Sequence, residues 1–418
     1  MQNISMLRMR KIWDNIVARL RRMPRWAVIT SKVIASIIIV VVMAITATSV
    51  SAVYDFRAPT PFSGPDIFNP YRNLDTTIGW KRAALHTHTR VEGIFNECDF
   101  TPQQIRDEYL KYGYDIVHFS NHNEFTEHPT EGLVHIYEHG YNISKLHVHV
   151  YGSEEVTSFD PILPLFDFQR QFKLDLLAMD ADLVQLNHPR RTKGLDRETM
   201  ERLSGYHIME LSRKLEEEQR EWDWALSAGR YSYAIYTDDM HFLDRTAAVA
   251  RRSTVMNTPS ESYDDVVATL KDGAYYSLYT PDYGNGDKEI KRAMNLTVPY
   301  ILDIGEHEGE IYVSFSEKAD SIRFTGQDQE VLYTAYNSDA ASYTMRDKDS
   351  YARITAYFED GERIYTNAFA RYDALEIDSP FEIKNYSYNT TLTILYNLTL
   401  LVIIIALGML EYKIIRRW

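Results

Sequence analysis

Cysteine is almost absent. The single Cys98 excludes an intrachain disulfide and a thiolate zinc site. Any metal must therefore be held by imidazole and carboxylate. The missing disulfides leave the compartment open, because a chain that is 45% apolar has enough core without them. Positive charge is also outnumbered through the middle. The chain carries 45 Lys and Arg against 59 Asp and Glu, a net charge of −14. Many of the cations sit at the two ends: Arg8, Arg10, Lys11, Arg19, Arg21, Arg22, Arg25 and Lys32 at the start, and Lys413, Arg416 and Arg417 at the finish. The acidic middle excludes nucleic-acid binding through a basic patch. An anionic substrate would need a local positive centre, which metal ions supply. Internal repeats and low-complexity tracts are lacking as well.

Two long apolar runs are present. Residues 26–53 are nearly free of charge, with Val33–Ala47 at their centre, and they follow a basic segment over 1–25. That segment is partly amphipathic, with Ile12, Trp13, Ile16, Val17 and Leu20 at helical spacing. The length suits a membrane span, and the positive flank puts the N-terminus in the cytoplasm. A cleaved signal peptide is the alternative, with Val50-Ser51-Ala52 as its cleavage site. Leu392–Tyr412 forms the second run, followed by a basic tail over 413–418. The pattern predicts two spans, both termini inside, and residues 54–390 outside the cytoplasm. Residues 54–80, with Pro59, Pro61, Pro65 and Pro70, read as a linker.

From 81 to about 245 strands and helices alternate, which predicts a parallel α/β barrel or sheet within a domain over 81–290. Thr101 caps a helix opened by Pro102 and closed by Gly113. Strands are expected at Tyr114–Phe119, His147–Tyr151, Leu183–Leu186, His207–Leu211 and Arg230–Tyr236, and a helix at Glu216–Ala228. Polar residues recur at the strand ends. Leu85-His86-Thr87-His88-Thr89 closes a short buried strand, where alternate side chains share a face. Two neighbouring imidazoles repel as cations but suit one divalent metal as neutral ligands. His86, His88, His122, Glu155, His188, Asp239 and His241 are thus candidates to converge at the C-terminal ends of the strands, where such folds build their sites. Past 290 short alternating strands and the Asp360-Gly361 turn predict an antiparallel β sandwich over 291–385.

The series Leu85-His86-Thr87-His88, Ser120-Asn121-His122-Asn123, Glu154-Glu155-Val156-Thr157, Asn187-His188-Pro189-Arg190-Arg191 and Asp238-Asp239-Met240-His241, in this order, resembles the PHP (polymerase and histidinol phosphatase) family. The likeness covers residues 81–245 and includes the intervening stretch 101–123. It implies a distorted (β/α)7 barrel, two or three divalent metals (Zn, Mn or Fe), and hydrolysis of a phosphate ester by a metal-bound hydroxide. Carried over residue by residue, His86, His88, His122, His188, Asp239 and His241 are metal ligands and Glu155 bridges two metals. Arg190 is the candidate for stabilising phosphoryl charge, with Arg191 as its alternative, and His241 shares in catalysis.

Three departures stand out. Asn121 replaces the family's Asp. The Asp that follows the paired histidines is matched by Glu92, with Glu97 and Asp99 as rivals. The further His after the bridging Glu has no counterpart over 157–182, where Asp160 is the substitute. His118, His128, His135, His139, His147, His149 and His207 read as structural, with His128 and His207 the ones to line the pocket if any do. Glu154 and Glu210 read as packing or supporting residues. The expectation is a membrane-anchored extracytoplasmic phosphoesterase acting on a small phosphorylated substrate. The alternative is a non-catalytic, metal-stabilised binding or sensing module.

Overall fold

The computed structural model describes residues 24–92, 96–212, 219–383 and 385–416. The amphipathic basic segment expected before residue 24 lies outside them, as does the start of the helix expected from Glu216. Helices run α1 (Arg25–Ala47), α2 (Pro102–Leu110), α3 (Asp167–Ala178), α4 (Arg197–Arg202), α5 (Arg220–Ser227), α6 (Tyr263–Asp272), α7 (Lys288–Asn295) and α8 (Thr390–Ile415). The first strands are β1 (Tyr54–Phe56), β2 (Asp66–Phe68), β3 (Lys81–Ala84), β4 (Ile116–Val117), β5 (Thr126–His128), β6 (Gly132–Val134), β7 (Ile136–His139), β8 (Val148–Tyr151), β9 (Leu183–Leu186), β10 (Ile208–Glu210) and β11 (Tyr233–Ile235). The later ones are β12 (Arg252–Met256), β13 (Tyr275–Tyr279), β14 (Ile301–His307), β15 (Glu310–Thr325), β16 (Val331–Thr344), β17 (Tyr351–Tyr357), β18 (Arg363–Thr366), β19 (Phe369–Tyr372) and β20 (Tyr386–Tyr388).

The chain divides into two compact units. One holds α1, α8 and Pro161–Leu163. Its helices, 23 and 26 residues long, are apolar enough to cross a membrane, one near each end of the chain. Most of their side chains are exposed, as expected of surfaces that do not face a protein core. The Tyr396 hydroxyl donates to the Ser49 carbonyl at 3.0 Å, and Asn397 exchanges hydrogen bonds with the Ser51 backbone. The first helix stops at Ala47, short of the expected Val53. There the Thr48 and Ser49 hydroxyls bond back to carbonyls of the last turn.

The other unit holds Ala52–Asp160 and Pro164–Asn389. Its five-stranded sheet has the order β11-β10-β9-β8-β7. Strands β9, β10 and β11 are mutually parallel, whereas β8 is antiparallel to both β7 and β9. Val148, Val150, Val184, Leu186, Ile208 and Met209 are completely buried there. A larger sheet runs β14-β15-β17-β18-β13-β12-β3-β4. Two isolated parallel bridges, Thr87–Met240 and His122–Glu138, link the two sheets where β3 and β4 end.

Local signals hold well in this unit. Thr101 and Gln104 form a capping box on α2, with Pro102 in its first turn. The Asp360-Gly361 turn joins β17 to β18, with Gly361 at φ 94°. Long-range pairing departs from expectation. The later strands do not form a sheet of their own, because β18 pairs with β13 across the expected boundary at 290. Nor is the stretch over 54–80 a plain linker, since β1 pairs with β20 and β2 with β19. Each of those partners lies some three hundred residues away, beyond the reach of local patterning. Asn367 lies between β18 and β19. Its buried side chain accepts from the Ala234 amide and donates to the Gly273 and Tyr275 carbonyls, tying β19 to β11 and β13.

Candidate metal centre

Strand β3 delivers the first two histidines. The chain continues past Ala84 in extended form, and His88 N donates to Met240 O at 2.9 Å. Both imidazoles are buried, and their Nε2 atoms lie 3.2 Å apart. Each also faces Asp239 Oδ1, at 3.2 Å from His86 and 3.3 Å from His88. Glu138 Oε2 stands 3.4 Å from both. These five separations are edges of one small tetrahedron. Ligand bonds of about 2.05 Å in tetrahedral geometry give edges of about 3.3–3.4 Å. The four donors fit a divalent ion such as zinc at their centre.

Glu138 is the hub. Its Oε2 also lies 3.2 Å from His122 Nε2. Its other oxygen, Oε1, lies 3.2 Å from His188 Nε2 and 3.3 Å from His147 Nδ1. The His147 approach is close yet lacks hydrogen-bond geometry, as donors on a shared ion would. His122, Glu138 and His147 form a second potential ligand group, and His88, Glu97, His122 and His241 a third. In the third, Glu97 Oε2 is 3.2 Å from His122 Nε2 and 3.4 Å from His241 Nε2.

The electrostatics follow from this crowding. Burial disfavours the charged form of His86, but Glu138, Asp239 and Glu210 outweigh it and hold its pKa well above the usual value. Burial also works against the Glu138 carboxylate, yet His86, His147 and His122 keep it ionised far below its ordinary range. His88 is pushed down by burial and stays a neutral donor. Hydrogen bonds from His122 and His241 hold Glu97 ionised.

Outer contacts orient the ligands, as second partners of metal-binding imidazoles do. Glu210 Oε2 lies 3.4 Å from His86 Nδ1 and accepts from His188 N at 2.8 Å, while its Oε1 accepts from Thr237. Asn187 Nδ2 donates to Glu138 Oε1 at 2.7 Å. Asn121 ties Thr89 to Thr126 and so braces the loop after the paired histidines. Lys145, His188 and Asp239 all adopt positive φ (59°, 28° and 48°). Such backbone costs about 1–3 kcal/mol per residue and gathers at functional sites.

Of the residues read from sequence, His86, His88, His122, His188, Asp239 and His241 meet in this cluster. Glu155 does not. It is exposed on the loop beyond β8, and Glu138 is the carboxylate that stands among the imidazoles. The reason is strand direction. Because β8 is antiparallel to both neighbours, its C-terminal end points away from the site. Its first residue, Val148, pairs with His139 on one side and Leu186 on the other, so the start of β8 lies at the site end. That brings His147, which read as structural, to 3.3 Å from Glu138 Oε1. His149, also read as structural, packs its ring edge-on against His86 at 4.1 Å between centroids. Glu92 and its rival Glu97 both line the neighbouring cavity, and Glu97 belongs to the third potential ligand group. Asp160 is engaged elsewhere, pairing with buried Lys173 at 2.9 Å and accepting from Tyr141 N.

The two arginines point to different partners. The 3-10 turn Pro189–Arg191 sends Arg190 to Glu221 at 3.1 Å. Arg191 instead reaches Asp239 Oδ2 and lines the metal cavity. Lys145 lines it too, and no motif marked that residue. This cavity, about 210 Å³, shares Glu97, His122 and Tyr141 with a second of about 370 Å³. His128 and His207 lie outside both: His128 Nε2 bonds the Val117 carbonyl, and His207 Nδ1 faces Val184 N.

No family model and no curated protein matches the chain. Among solved structures it is similar to a two-domain protein containing a predicted PHP-like metal-dependent phosphoesterase from Bacteroides vulgatus ATCC 8482. The likeness has 14% identity and a TM-score of 0.34, over 75% of this chain and 100% of that one.

Proposed function

We propose that the chain is a membrane-anchored, metal-dependent phosphoesterase of PHP type, acting outside the cytoplasm on a small phosphorylated substrate. The observation that carries this reading is the convergence of six imidazoles and three carboxylates around Glu138, beside a cavity that Arg191 and Lys145 also line. The ordered motif series supports the family. The two bridges that link the sheets support a distorted (β/α)7 barrel built from β3, β4 and β7–β11. The two long apolar helices with basic flanks support anchoring through two spans, with both termini inside.

His86, His88, Glu138 and Asp239 would hold one ion. His122, Glu138 and His147 would hold a second, and His88, Glu97, His122 and His241 a third. Bound divalent ions of this kind (Zn, Mn or Fe) lower the pKa of water and draw charge from a phosphoryl group. The chain's own residues do the rest. Arg191 and Lys145 bring two cations to an otherwise acidic molecule, where the non-bridging oxygens of a phosphate would sit. The contact of Asp239 Oδ2 with Arg191 keeps its Oδ1 turned to the imidazoles. His241 Nδ1 bonds the Asp239 carbonyl at 3.0 Å, which leaves Nε2 as its electron pair. That atom serves a metal or accepts a proton, and its place beside Glu97 favours the ligand role. The adjoining larger cavity has room for the rest of a small ester.

The test is hydrolysis. Full-length protein in detergent, loaded with Zn, Mn or Fe, is assayed on a panel of phosphate mono- and diesters. Turnover that disappears with chelator supports the reading. A folded, metal-loaded protein inert toward every ester would instead support the binding or sensing module.

A further inference from the structure

We propose that the turn Leu165–Phe168 and the β1–β20 ribbon form a lipid-contacting face, which lays the larger unit against the bilayer surface. This rests on the reading of α1 and α8 as membrane spans. Chain connectivity is the first argument. Only six residues separate Ala47 from Tyr54, and one separates Tyr388 from Thr390. At about 3.5 Å per residue, the ribbon lies within about 25 Å of one helix end and about 7 Å of the other. The residues just before the turn, Pro161–Leu163, belong to the unit that holds the helices, where Ile162 N meets Thr48 Oγ1 at 3.3 Å. Both elements of the proposed face are therefore tethered close to where the spans end.

Their chemistry is the second argument. In the ribbon Tyr54 pairs with Tyr388 and Phe56 with Tyr386, so four aromatic rings share one face. Tyr54 packs edge-on against Tyr386 at 5.0 Å, and Phe166 stacks on Phe168 at 5.2 Å. Leu165, Phe166 and Tyr388 remain 60%, 51% and 56% exposed. The two elements flank an open groove of about 530 Å³, with Arg202 at its edge. Aromatic rings enriched at the membrane–water boundary have this character, apolar in body and polar at the tip. Charge distinguishes the kind of lipid. Arg202 is paired with Asp167 at 2.7 Å, and Asp55 accepts from Asn389, so the face carries no surplus of cations. Contact therefore depends on the interfacial layer itself and not on anionic headgroups.

The experiment uses the full chain in phosphatidylcholine vesicles. Cys98 is buried, so an environment-sensitive thiol dye is directed to Leu165→Cys or Phe166→Cys without altering it. Ile37→Cys on α1 and Leu375→Cys, which is 95% exposed, are the references. With nitroxide-labelled phosphatidylcholine, probes at 165 and 166 are expected to lose about half or more of their emission, as the probe at 37 does, while the probe at 375 keeps its own. Quenching at 37 with none at 165 and 166 overturns the lipid face and leaves the spans standing. Probes at 165 and 166 shielded from both lipid and aqueous quenchers point to a protein partner, which also overturns it. No quenching at 37 removes the spans, and the face with them.

Discussion

Replacing Glu138 by glutamine separates a metal centre bridged by Glu138 from one bridged by Glu155. The amide keeps the size of the side chain and removes its negative charge. In the native protein Oε2 lies 3.2–3.4 Å from His86, His88 and His122, while Oε1 serves His147 and His188 at 3.2–3.3 Å. One substitution therefore weakens two ligand groups at once. Outer partners of metal ligands are each worth about 10–100-fold in affinity or activity. A direct ligand shared by two groups should cost at least the product, about 10²–10⁴-fold, or about 3–5 kcal/mol of transition-state stabilisation. The assay is metal content by mass spectrometry together with hydrolysis of a nitrophenyl phosphate ester, at matched secondary structure. Glu155→Gln is the companion variant. Glu155 is exposed and outside the cluster, so this change should leave metal content and turnover near the native level. Full activity in Glu138→Gln, with loss in Glu155→Gln, would refute the reasoning about strand direction.

Other outcomes follow from the same geometry. Arg191→Ala should lower kcat/KM for phosphate esters by about 10–100-fold, the scale of one lost charge-assisted contact of about 1.5–3 kcal/mol. Arg190→Ala should leave turnover alone and cost about 1 kcal/mol of stability through Glu221, read by urea unfolding. Chelation should lower Tm, because an ion present at about 100 times its Kd stabilises by about 2.7 kcal/mol; calorimetry with and without added metal measures it. Burial holds His118 down at about 3. Its folded pKa lies below the unfolded value, so the unfolded chain binds the extra proton and stability falls as pH drops below about 6.5. From pH 6.5 to 5 that amounts to about 2 kcal/mol, which His118→Gln should remove from urea-unfolding curves.

The part of the centre legible in sequence is the part built on parallel strands. His86, His88, His122, His188, Asp239 and His241 all follow strands that end at the site, so the strand-end rule found them. The rule failed at β8, whose antiparallel placement depends on a hydrogen-bonding partner and not on residue pattern. Glu138 was invisible for the same reason. Ile136-Tyr137-Glu138-His139 is short, mixes charge with apolar residues and carries no turn signal, so nothing marked β7 as a strand. Once β7 is in place, His147 falls nine residues after Glu138, next to the start of β8, and faces its carboxylate. Arg191 rather than Arg190 lines the cavity because the turn Pro189–Arg191 sends the two side chains apart, a geometry that spacing alone does not reveal. The later strands show the same division. Their existence was readable from alternation and from Asp360-Gly361, whereas the pairing of β18 with β13 was not.

Metal stoichiometry tests the central claim most directly. Full-length protein purified without chelator, and its His86→Ala variant, are analysed by inductively coupled plasma mass spectrometry against protein concentration. A Glu138-bridged centre predicts two or more transition-metal ions per native chain, and a loss of at least one in the variant alongside lost phosphoester turnover. A native chain that binds no metal, or a variant that keeps its full complement, would contradict it.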